Sequence, residues 1–351
     1  MVKHFLTRRF SAGVRIQKDV VILKKGGIQT LKKRTLVVIV SIFIFLITAS
    51  IVGAKAKYET KPVPKGERHH ISEIIQSKAK WEKIVTGEGF MEGINFDRKG
   101  NIWMVSPPTG ELLTVKGDKV SVIENYKGPV GAKFHKDGRI FMTDLSGEIV
   151  AYDPKTGKSE TIVNSYNGKP LNGLNDLVFD ESGGLYFTEP MGSSATHPVG
   201  RVFYLPANSK EPELFAENIA YPNGVAISAD GQRVYISEFD KNRVLSVPSK
   251  KAIKSPETPF VFGQFEGGIG PDGLAVDAEG NLYIAHFQAG EIVVLDASGF
   301  KIGTIRLPED AGTFTTNLAF HKGYLYITES SKNEVWRIKV NKEGLTPYGL
   351  Q

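Results

Sequence analysis

The sequence predicts an all-β fold, a six-bladed β-propeller, preceded by one N-terminal transmembrane helix. Three observations support this prediction. A run of twenty uncharged residues lies near the N-terminus, a strand-turn-strand pattern recurs six times after it, and a strand-like segment stands in front of the first repeat. These features divide the chain into a basic cytoplasmic tail (1–34), a transmembrane signal-anchor (35–54), a linker (55–79) and a propeller (80–351).

The apolar run reads TLVVIVSIFIFLITASIVGA and covers residues 35–54. A helix of about twenty such residues is long enough to cross the roughly 30 Å hydrocarbon core of a bilayer. The 34 residues before it hold ten Lys or Arg and one acid, Asp19, which predicts a cytoplasmic N-terminus and an extracytoplasmic propeller. A small-x-small pattern at Ala54-Lys55-Ala56 leaves open a cleaved signal peptide, in which case the propeller is secreted.

Most of the positive charge of the chain belongs to this tail. The whole chain carries +6 and the tail alone supplies +9, so residues 55–351 have a net charge of −3. An acidic propeller lacks the basic surface that nucleic acid requires, and no nucleic-acid partner is expected. The chain has no cysteine, which excludes disulfides and thiolate metal sites.

The six repeats share a short apolar strand, a turn with Gly or a charge, and a second apolar strand. They begin at Glu92, Val130, Asn175, Asn223, Asp272 and Thr316, which we call the ring positions. The apolar anchors four residues further on are Phe96, Phe134, Phe179, Ile227, Val276 and Phe320, spaced by 38, 45, 48, 49 and 44 residues. Such periods suit one four-stranded blade each, and the alternation of Val, Ile, Tyr and Phe by two disfavours helical repeats.

A propeller must close on itself, and the sequence offers a strand for this purpose. The segment Trp81-Glu82-Lys83-Ile84-Val85 resembles an outer strand but precedes the first repeat, so it can complete the sixth blade. The C-terminal residues 344–351 are the competing candidate for that edge.

The ring positions predict a metal site, because the first strand of each blade lines the central channel and equivalent positions face one another. They bring together two carboxylates (Glu92, Asp272), two amides (Asn175, Asn223) and a hydroxyl, with no Lys or Arg among them. Buried carboxylates repel one another unless a cation compensates them. Hard oxygen ligands favour one divalent cation, Ca²⁺ first, with Mg²⁺, Mn²⁺ or Zn²⁺ as alternatives. Ordinary Asn-Gly and Asp-Gly turns are the competing explanation.

Four motifs resemble one known family. They are Asn175-Asp176-Leu-Val-Phe-Asp, Gly184-Leu-Tyr-Phe-Thr-Glu, Pro222-Asn223-Gly-Val-Ala and Pro271-Asp272-Gly-Leu-Ala-Val-Asp. As a set they look like the senescence-marker-protein/gluconolactonase family of six-bladed lactonases, and the resemblance covers roughly residues 80–340.

The resemblance implies a metal-dependent hydrolase of lactones or related esters, a carboxylic ester hydrolase in which water attacks a metal-polarised carbonyl. The family binds a divalent cation at the positions of Glu92, Asn223 and Asp272, and in some members at that of Asn175. The family pattern also implies that Asp272 is the catalytic base, although a carboxylate bound to a cation is a poor base. A metal-bound water is therefore an alternative nucleophile. Asp176 is a reserve base, because its position should point away from the channel.

Four further residues are predicted to touch substrate, namely Glu189, Met191, Tyr221 and His286. The loop 190–200 is longer than its counterparts and should overhang the ring, so it is expected to shape the pocket. Two other functions remain open. The protein could be a non-catalytic, calcium-stabilised propeller that binds protein or sugar, or a strictosidine-synthase-like protein without the ring metal.

Overall fold

The computed structural model describes residues 70–252 and 259–351, and the backbone of two short strands in the tail, β1 (Val21–Lys24) and β2 (Gly27–Thr30). These strands form an antiparallel hairpin, which the sequence analysis did not predict. The predicted transmembrane segment 35–54 lies outside the described residues, as does the predicted linker up to residue 69. Among the residues that are described, no helix is long and apolar enough to span a bilayer.

The end of the predicted linker is folded against the propeller. Helix α1 (Ile71–Ile74) is a single turn, and Ile74 is fully buried in a hydrophobic cluster with Tyr283 and Trp336. The backbone N–H of Asn341 donates a hydrogen bond of 2.8 Å to the carbonyl of Ile74. The propeller unit therefore includes residues before 80.

Six four-stranded antiparallel sheets form the six predicted blades. Strand β3 (Trp81–Thr86) is the first propeller strand in the chain but belongs to the last blade. Blade 1 contains β4 (Glu92–Phe96), β5 (Ile102–Ser106), β6 (Glu111–Lys116) and β7 (Lys119–Asn125). Blade 2 contains β8 (Pro129–Phe134), β9 (Ile140–Asp144), β10 (Glu148–Asp153) and β11 (Lys158–Val163), followed by a small hairpin of β12 (Ser165–Tyr166) and β13 (Lys169–Pro170). Blade 3 contains β14 (Leu177–Phe179), β15 (Leu185–Glu189), β16 (Gly200–Leu205) and β17 (Glu213–Ile219).

The second half of the ring repeats this order. Blade 4 contains β18 (Pro222–Ile227), β19 (Arg233–Glu238), a 3-10 turn (Phe239–Lys241), β20 (Arg243–Pro248) and β21 (Phe260–Gln264). Blade 5 contains β22 (Gly270–Val276), β23 (Leu282–Phe287), β24 (Glu291–Leu295) and β25 (Lys301–Arg306). Blade 6 contains β26 (Thr315–His321), β27 (Tyr324–Glu329), β28 (Glu334–Lys339) and β3.

The first strands of the blades surround a central channel. Each of β4, β8, β14, β18, β22 and β26 contacts the next one, and β26 contacts β4, so the circle is complete. The second strands are almost wholly buried, because apolar side chains of neighbouring blades pack against both of their faces. This packing fixes the first strands, and with them the ring positions, around one axis.

Strand β3 closes the propeller, as predicted. It pairs antiparallel with β28, with Trp81 opposite Ile338 and Val85 opposite Val335. The C-terminal residues 344–351 do not compete for this edge. Gly344 instead forms a β-bridge with Asp277 of blade 5, and the chain ends in a 3-10 turn, Tyr348–Leu350. We call residues 344–351 the strap.

Replacing Val85 with lysine should open this closure. Val85 is 4% exposed and packs with Ile94 and Val335, so the variant would bury an unpaired charge. We expect V85K to lower the free energy of unfolding by about 3 kcal/mol or more in urea denaturation. The control is T86K, the same substitution at the exposed neighbouring position, which should change stability by less than about 0.5 kcal/mol. Equal losses in both variants would contradict closure through this strand.

Candidate active site and metal centre

A shared irregularity in the first strands presents the ring positions to the channel. In blades 2, 4, 5 and 6 the pairing of the first and second strands skips two residues, which are the ring position and its successor. Blade 3 has an equivalent bulge, in which Asn175 and Asp176 both pair with Thr188. Asn175 N donates to Thr188 O, and Thr188 N donates to Asp176 O, both at 3.0 Å. Such bulges interrupt the alternation of side chains and re-aim them.

The residue after the ring position is glycine in four blades because the next blade lies too close for a side chain. A Cβ on Gly224 would lie 2.2 Å from the carbonyl oxygen of Asp272, and one on Gly273 would lie 2.8 Å from that of Thr316. The two exceptions are Asp176 in blade 3 and Asn317 in blade 6. In these two blades the residue after the ring position therefore has a polar side chain, which lies beside those of the ring positions.

Asp176 differs from the expectation that it would point away from the channel. Its Oδ2 accepts a hydrogen bond of 3.0 Å from the backbone N–H of Val225, in the first strand of the next blade. Its Oδ1 is buried without a hydrogen-bond partner. Its charge acts on both Glu92 and Asp272, two blades away in either direction. The bulge explains the difference, since strict alternation no longer applies there.

Three buried carboxylates, Glu92, Asp176 and Asp272, therefore come from alternate blades. Burial, together with the charge of Asp176, raises the pKa of Glu92 to about 8. Burial and the charges of Glu92 and Asp176 raise the pKa of Asp272 well above its usual range. Burial also raises the pKa of Asp176. Without a cation this cluster binds protons at a pH where solvated carboxylates are ionised.

Lys133 adds a positive charge that the sequence analysis missed. It lies on β8, three residues beyond the ring position, and its charge lowers the pKa values of Glu92 and Asp176 against the effect of burial. The ring positions themselves hold no Lys or Arg, so they give no sign of this charge. Three carboxylates and one ammonium group leave a net charge of −2, which one divalent cation would neutralise.

Amide side chains complete the cluster. The side chain of Asn223 hydrogen-bonds to Asp272, and Asn317 Nδ2 donates to Glu92 Oε2 at 3.4 Å. The side chain of Asn175 is half-buried beside Asp176. The structure thus brings Glu92, Asn223 and Asp272 together with Asp176 and Asn317, which the sequence did not place among the metal ligands.

Hydroxyl groups on the second strands hold the ring residues of the next blade. Thr143 Oγ1 donates to the carbonyl of Asn175, Thr188 Oγ1 donates to that of Asn223 at 2.8 Å, and Ser237 Oγ donates to that of Asp272 at 2.7 Å. A sequence signal for this role exists. Four blades have Thr or Ser directly before the acid that ends the second strand, namely Thr143-Asp144, Thr188-Glu189, Ser237-Glu238 and Thr328-Glu329.

The variant T188V tests this link between blades. Thr188 Oγ1 also accepts a hydrogen bond of 2.9 Å from the backbone N–H of Asp176, so valine would leave a donor and an acceptor unpaired in a buried place. We expect a loss of about 1–3 kcal/mol in the free energy of unfolding. The conservative variant T188S keeps the hydroxyl and should retain most of the stability. A stable T188V protein would show that the hydroxyl does not hold the ring.

The acids that end the second strands have a common structural role. Asp144 Oδ2 accepts from Gly128 N at 2.9 Å, and Glu238 Oε1 accepts from Ala220 N at 2.9 Å. Glu189 does the same, because its Oε1 accepts from Asn172 N at 2.7 Å and its Oε2 pairs with Arg201. Glu189 is predicted from the sequence to touch substrate. It is 4% exposed, and its carboxylate binds the backbone of the segment that leads into blade 3.

His286, also a predicted substrate residue, occupies the corresponding place in blade 5. Its side chain is fully buried, and its Nε2 lies 3.0 Å from Asn242 Oδ1. Burial lowers the pKa of His286, with Glu291 opposing the effect. This geometry gives His286 a packing role and leaves no surface for a substrate contact.

Met191 and Tyr221 are better placed to meet a substrate. Met191 lies in the loop 190–200 and is 39% exposed. Tyr221 immediately precedes β18, has a left-handed backbone with φ +55°, and its pKa is raised by burial and by the charges of Asp272, Asp240 and Glu92. A strained aromatic residue beside the carboxylate cluster is typical of a functional site.

The donor set suits a hard divalent cation. Within the described part of the chain, no three His, Cys, Asp or Glu side chains lie close enough to hold a metal by themselves. A site here would instead combine Glu92 and Asp272 with the amide oxygens of Asn175 and Asn223. The unpartnered Oδ1 of Asp176 and the net charge of −2 fit a Ca²⁺ ion better than the nitrogen and sulfur sites of zinc.

The fold and the site together define the class of the protein: a six-bladed propeller with buried acidic and amide side chains at one end of its channel. A model of the SMP-30/Gluconolactonase/LRE-like region matches residues 90–331, and the chain belongs to this family. It is 30% identical to Lactonase drp35 of Staphylococcus epidermidis over 239 residues, which cover 65% of this chain and 73% of that protein.

Two solved structures share the fold. A gluconolactonase from Xanthomonas campestris superposes with a TM-score of 0.67 at 22% identity and covers 77% of this chain and 92% of its own. A calcium-binding protein, regucalcin, from Agrobacterium tumefaciens gives a TM-score of 0.63 at 21% identity and covers 74% and 92%. The predicted family is confirmed, and the prediction of a lactonase-like ester hydrolase is confirmed at the family level. The metal ligands and the substrate residues stay predictions.

Proposed function

We propose that this protein hydrolyses lactones or related esters with the help of one divalent cation, Ca²⁺, at the ring. The observation that carries the proposal is the cluster of three buried carboxylates, one of which has an oxygen without a hydrogen-bond partner. The names of the relatives, lactonase and gluconolactonase, support the reaction class. The name of one structural neighbour, a calcium-binding protein, supports the choice of cation.

Glu92, Asn175, Asn223 and Asp272 are the proposed ligands. When bound, the cation would polarise the lactone carbonyl and stabilise the negative charge that develops on its oxygen. Its charge would also remove the repulsion among the carboxylates, which otherwise favours their protonated forms. Asn317 and the backbone N–H of Gly93 hydrogen-bond to Glu92 and orient its carboxylate.

Asp272 is the proposed base that accepts a proton from the attacking water. A bound cation would lower its affinity for a proton, so Asp272 would orient the attacking water and act as a weak base. Ser237 holds the backbone of Asp272 in place through its hydroxyl. Met191 and Tyr221 are the proposed substrate contacts. Met191 is exposed and lies against Gly173, two residues before Asn175, and the charges of Asp272 and Glu92 act on Tyr221.

A lactone panel tests the proposal directly. The purified chain is assayed on aliphatic and sugar lactones and on aryl esters, with Ca²⁺, with other divalent cations and with a chelator. Turnover that requires a cation is the expected result. Tight calcium binding without turnover would favour the protein- or sugar-binding propeller, and the absence of both would favour the strictosidine-synthase-like alternative.

We also propose that residues 35–54 anchor the protein in a membrane with the propeller on the extracytoplasmic side. The support is the uncharged run and the basic tail in the sequence. Protease treatment of intact cells should degrade the propeller and spare the tail. Protection of the propeller would reverse the proposed orientation.

A further inference from the structure

The position two residues before each ring position lies at the mouth of the channel, outside the carboxylate cluster. The first strands run from the ring towards the apolar anchors, so the residues that precede the ring lie on its other side. This position holds an aromatic residue in blades 1, 4 and 6 and glycine in blades 2, 3 and 5, namely Phe90, Tyr221, Phe314, Gly128, Gly173 and Gly270. The three aromatic residues are half-buried.

Apolar side chains from neighbouring loops cover the glycines of blades 2 and 3. A Cβ on Gly128 would lie 3.2 Å from Leu145 Cδ1, and one on Gly173 would lie 2.5 Å from Met191 Cγ. Leu145 is 41% exposed and Met191 is 39% exposed, so both remain open to solvent at the mouth. These two blades therefore also place an apolar side chain at this level, although it comes from the loop after the second strand.

Aromatic rings continue this layer through blades 4, 5 and 6. A Cβ on Gly270 of blade 5 would lie 2.9 Å from Cδ2 of Phe239, which covers the glycine. The ring centroids of Tyr221 and Phe239 are 5.7 Å apart, and those of Phe239 and Phe287 are 5.9 Å apart. The centroids of Phe287 and Phe314 are 4.6 Å apart, so the four rings form a continuous row.

All six blades thus contribute to an apolar collar at the mouth, whose members are Phe90, Leu145, Met191, Tyr221, Phe239, Phe287 and Phe314. The collar is close to the proposed catalytic groups. Burial raises the pKa of Tyr221, and the charges of Asp272 and Glu92 add to this effect. Exposed apolar side chains that are grouped in this way mark a binding surface.

The charged side chains at this end of the channel do not make the collar polar, because most of them pair with one another. The pairs are Lys127–Glu148, Arg201–Glu189, Lys241–Glu238, Arg243–Glu238 and Arg306–Glu291. The exposed acids Glu88, Asp240 and Glu266 lie in loops at the same end and would repel an anionic group. A cationic group would lose its hydration against the apolar collar. The collar therefore suits an uncharged, apolar group.

We propose that the collar selects lactones that carry an apolar substituent and disfavours polyhydroxylated sugar lactones. This inference rests on the proposed function, since it names the substrate class of the same site. The lactone carbonyl would face the ring, and the collar would bury the alkyl substituent. The hydroxyl groups of a sugar lactone would lose water at the collar without gaining hydrogen-bond partners.

Steady-state kinetics on three lactones with the same six-membered ring test the proposal. They are δ-valerolactone, δ-nonalactone, which adds a butyl group, and glucono-δ-lactone. Each buried methylene should raise kcat/KM about fourfold, so δ-nonalactone should exceed δ-valerolactone by more than about tenfold. Glucono-δ-lactone should be the poorest of the three. Equal kcat/KM values for the first two, or a preference for glucono-δ-lactone, would overturn the role of the collar and leave the proposed hydrolysis standing.

Two variants of exposed collar residues locate the effect. Leu145→Ser and Met191→Ser should each lower kcat/KM for δ-nonalactone about fivefold and change that for δ-valerolactone by less than about twofold. The control Val122→Ser removes an exposed apolar side chain from the outer strand of blade 1 and should change neither value. If the collar variants lower kcat/KM for both lactones alike, the collar does not recognise the substituent.

Binding of unreactive lactams separates a failure of this inference from a failure of the proposed function. In calorimetric titrations of the full-length protein with Ca²⁺ present, 6-butylpiperidin-2-one should bind more than about tenfold more tightly than piperidin-2-one. Leu145→Ser and Met191→Ser should reduce this ratio, and Val122→Ser should keep it. This result without turnover of any lactone would support the collar and refute the hydrolysis. Equal affinities, or a preference for the cationic 3-aminopiperidin-2-one, would overturn the collar.

Discussion

Replacing Asp272 with alanine is expected to lower kcat/KM for lactone hydrolysis by about a thousandfold or more and to abolish stoichiometric calcium binding. The variant removes a proposed metal ligand and the proposed base at once. General base catalysis alone contributes about 10²–10⁴-fold, and the loss of a cation that polarises the carbonyl adds several kcal/mol to the barrier. The measurements are steady-state kinetics on the best lactone of the panel and calorimetric titration with Ca²⁺.

Two further variants separate the roles of Asp272. Asp272→Asn retains an oxygen ligand without the charge, so it should bind calcium more weakly and still lack the base. Asp118→Ala removes an exposed carboxylate in the turn between β6 and β7 and should leave both properties unchanged. If Asp272→Ala retains calcium-dependent turnover, the assignment of the base and of this ligand is wrong.

The architecture could be predicted from the sequence because the repeats are periodic. Apolar anchors spaced by 38 to 49 residues require one blade each, and a strand before the first repeat has only one free edge to occupy. Closure by β3 follows from this requirement. The path of the strap could not be predicted in the same way, because it depends on single contacts such as Gly344 with Asp277 and has no periodic signal.

Only part of the candidate site could be predicted from the sequence repeats. Equivalent positions in repeats converge, so Glu92, Asn223 and Asp272 could be grouped from their register. Strict alternation predicts a different orientation for Asp176, because a bulge that the sequence does not reveal places two residues opposite Thr188. Glycine after the ring position in four blades was a usable signal, since it marks close approach of the neighbouring blade and makes the two non-glycine residues conspicuous.

Glu189 and His286 illustrate a different limit. Both lie at the end of a second strand opposite the residue before a ring position, Glu189 as the last residue of β15 and His286 as the penultimate residue of β23. A sequence does not distinguish a side chain that faces substrate from one that satisfies the backbone of a loop. The shared pattern was nevertheless visible. The acids of four blades occupy one position, and a role repeated around the propeller is more readily structural than specific to one substrate.

The calcium-free protein should lose stability as pH rises from 7 to 8. Glu92 has a pKa of about 8 in the folded protein, far above the value of a solvated glutamate, so the folded state binds more protons than the unfolded state in this window. Its stabilising contribution is complete below the unfolded pKa and is lost as pH approaches 8. The slope from Glu92 is at most about 1.4 kcal/mol per pH unit and falls to about half of that at pH 8, where the group is half-protonated.

Competing titrations are weakest at the upper end of this window. The unfolded histidines still hold about half of their protons at pH 6.5, so the lowered pKa values of His286 and His321 oppose the carboxylate effect there and have little influence above about pH 7.5, whereas the lowered pKa of Asp97 acts in acid. Urea unfolding at pH 7.0, 7.5 and 8.0, with chelator or with Ca²⁺, measures the slope. Calcium should remove this pH dependence of stability, because a cation replaces the protons and binds more tightly as pH rises.

Glu92→Gln should flatten the slope of the calcium-free protein, since the glutamine side chain does not titrate. A calcium-free stability that is constant or rises over this range would show that the carboxylates do not share one buried volume, and the proposed metal centre would fail with it.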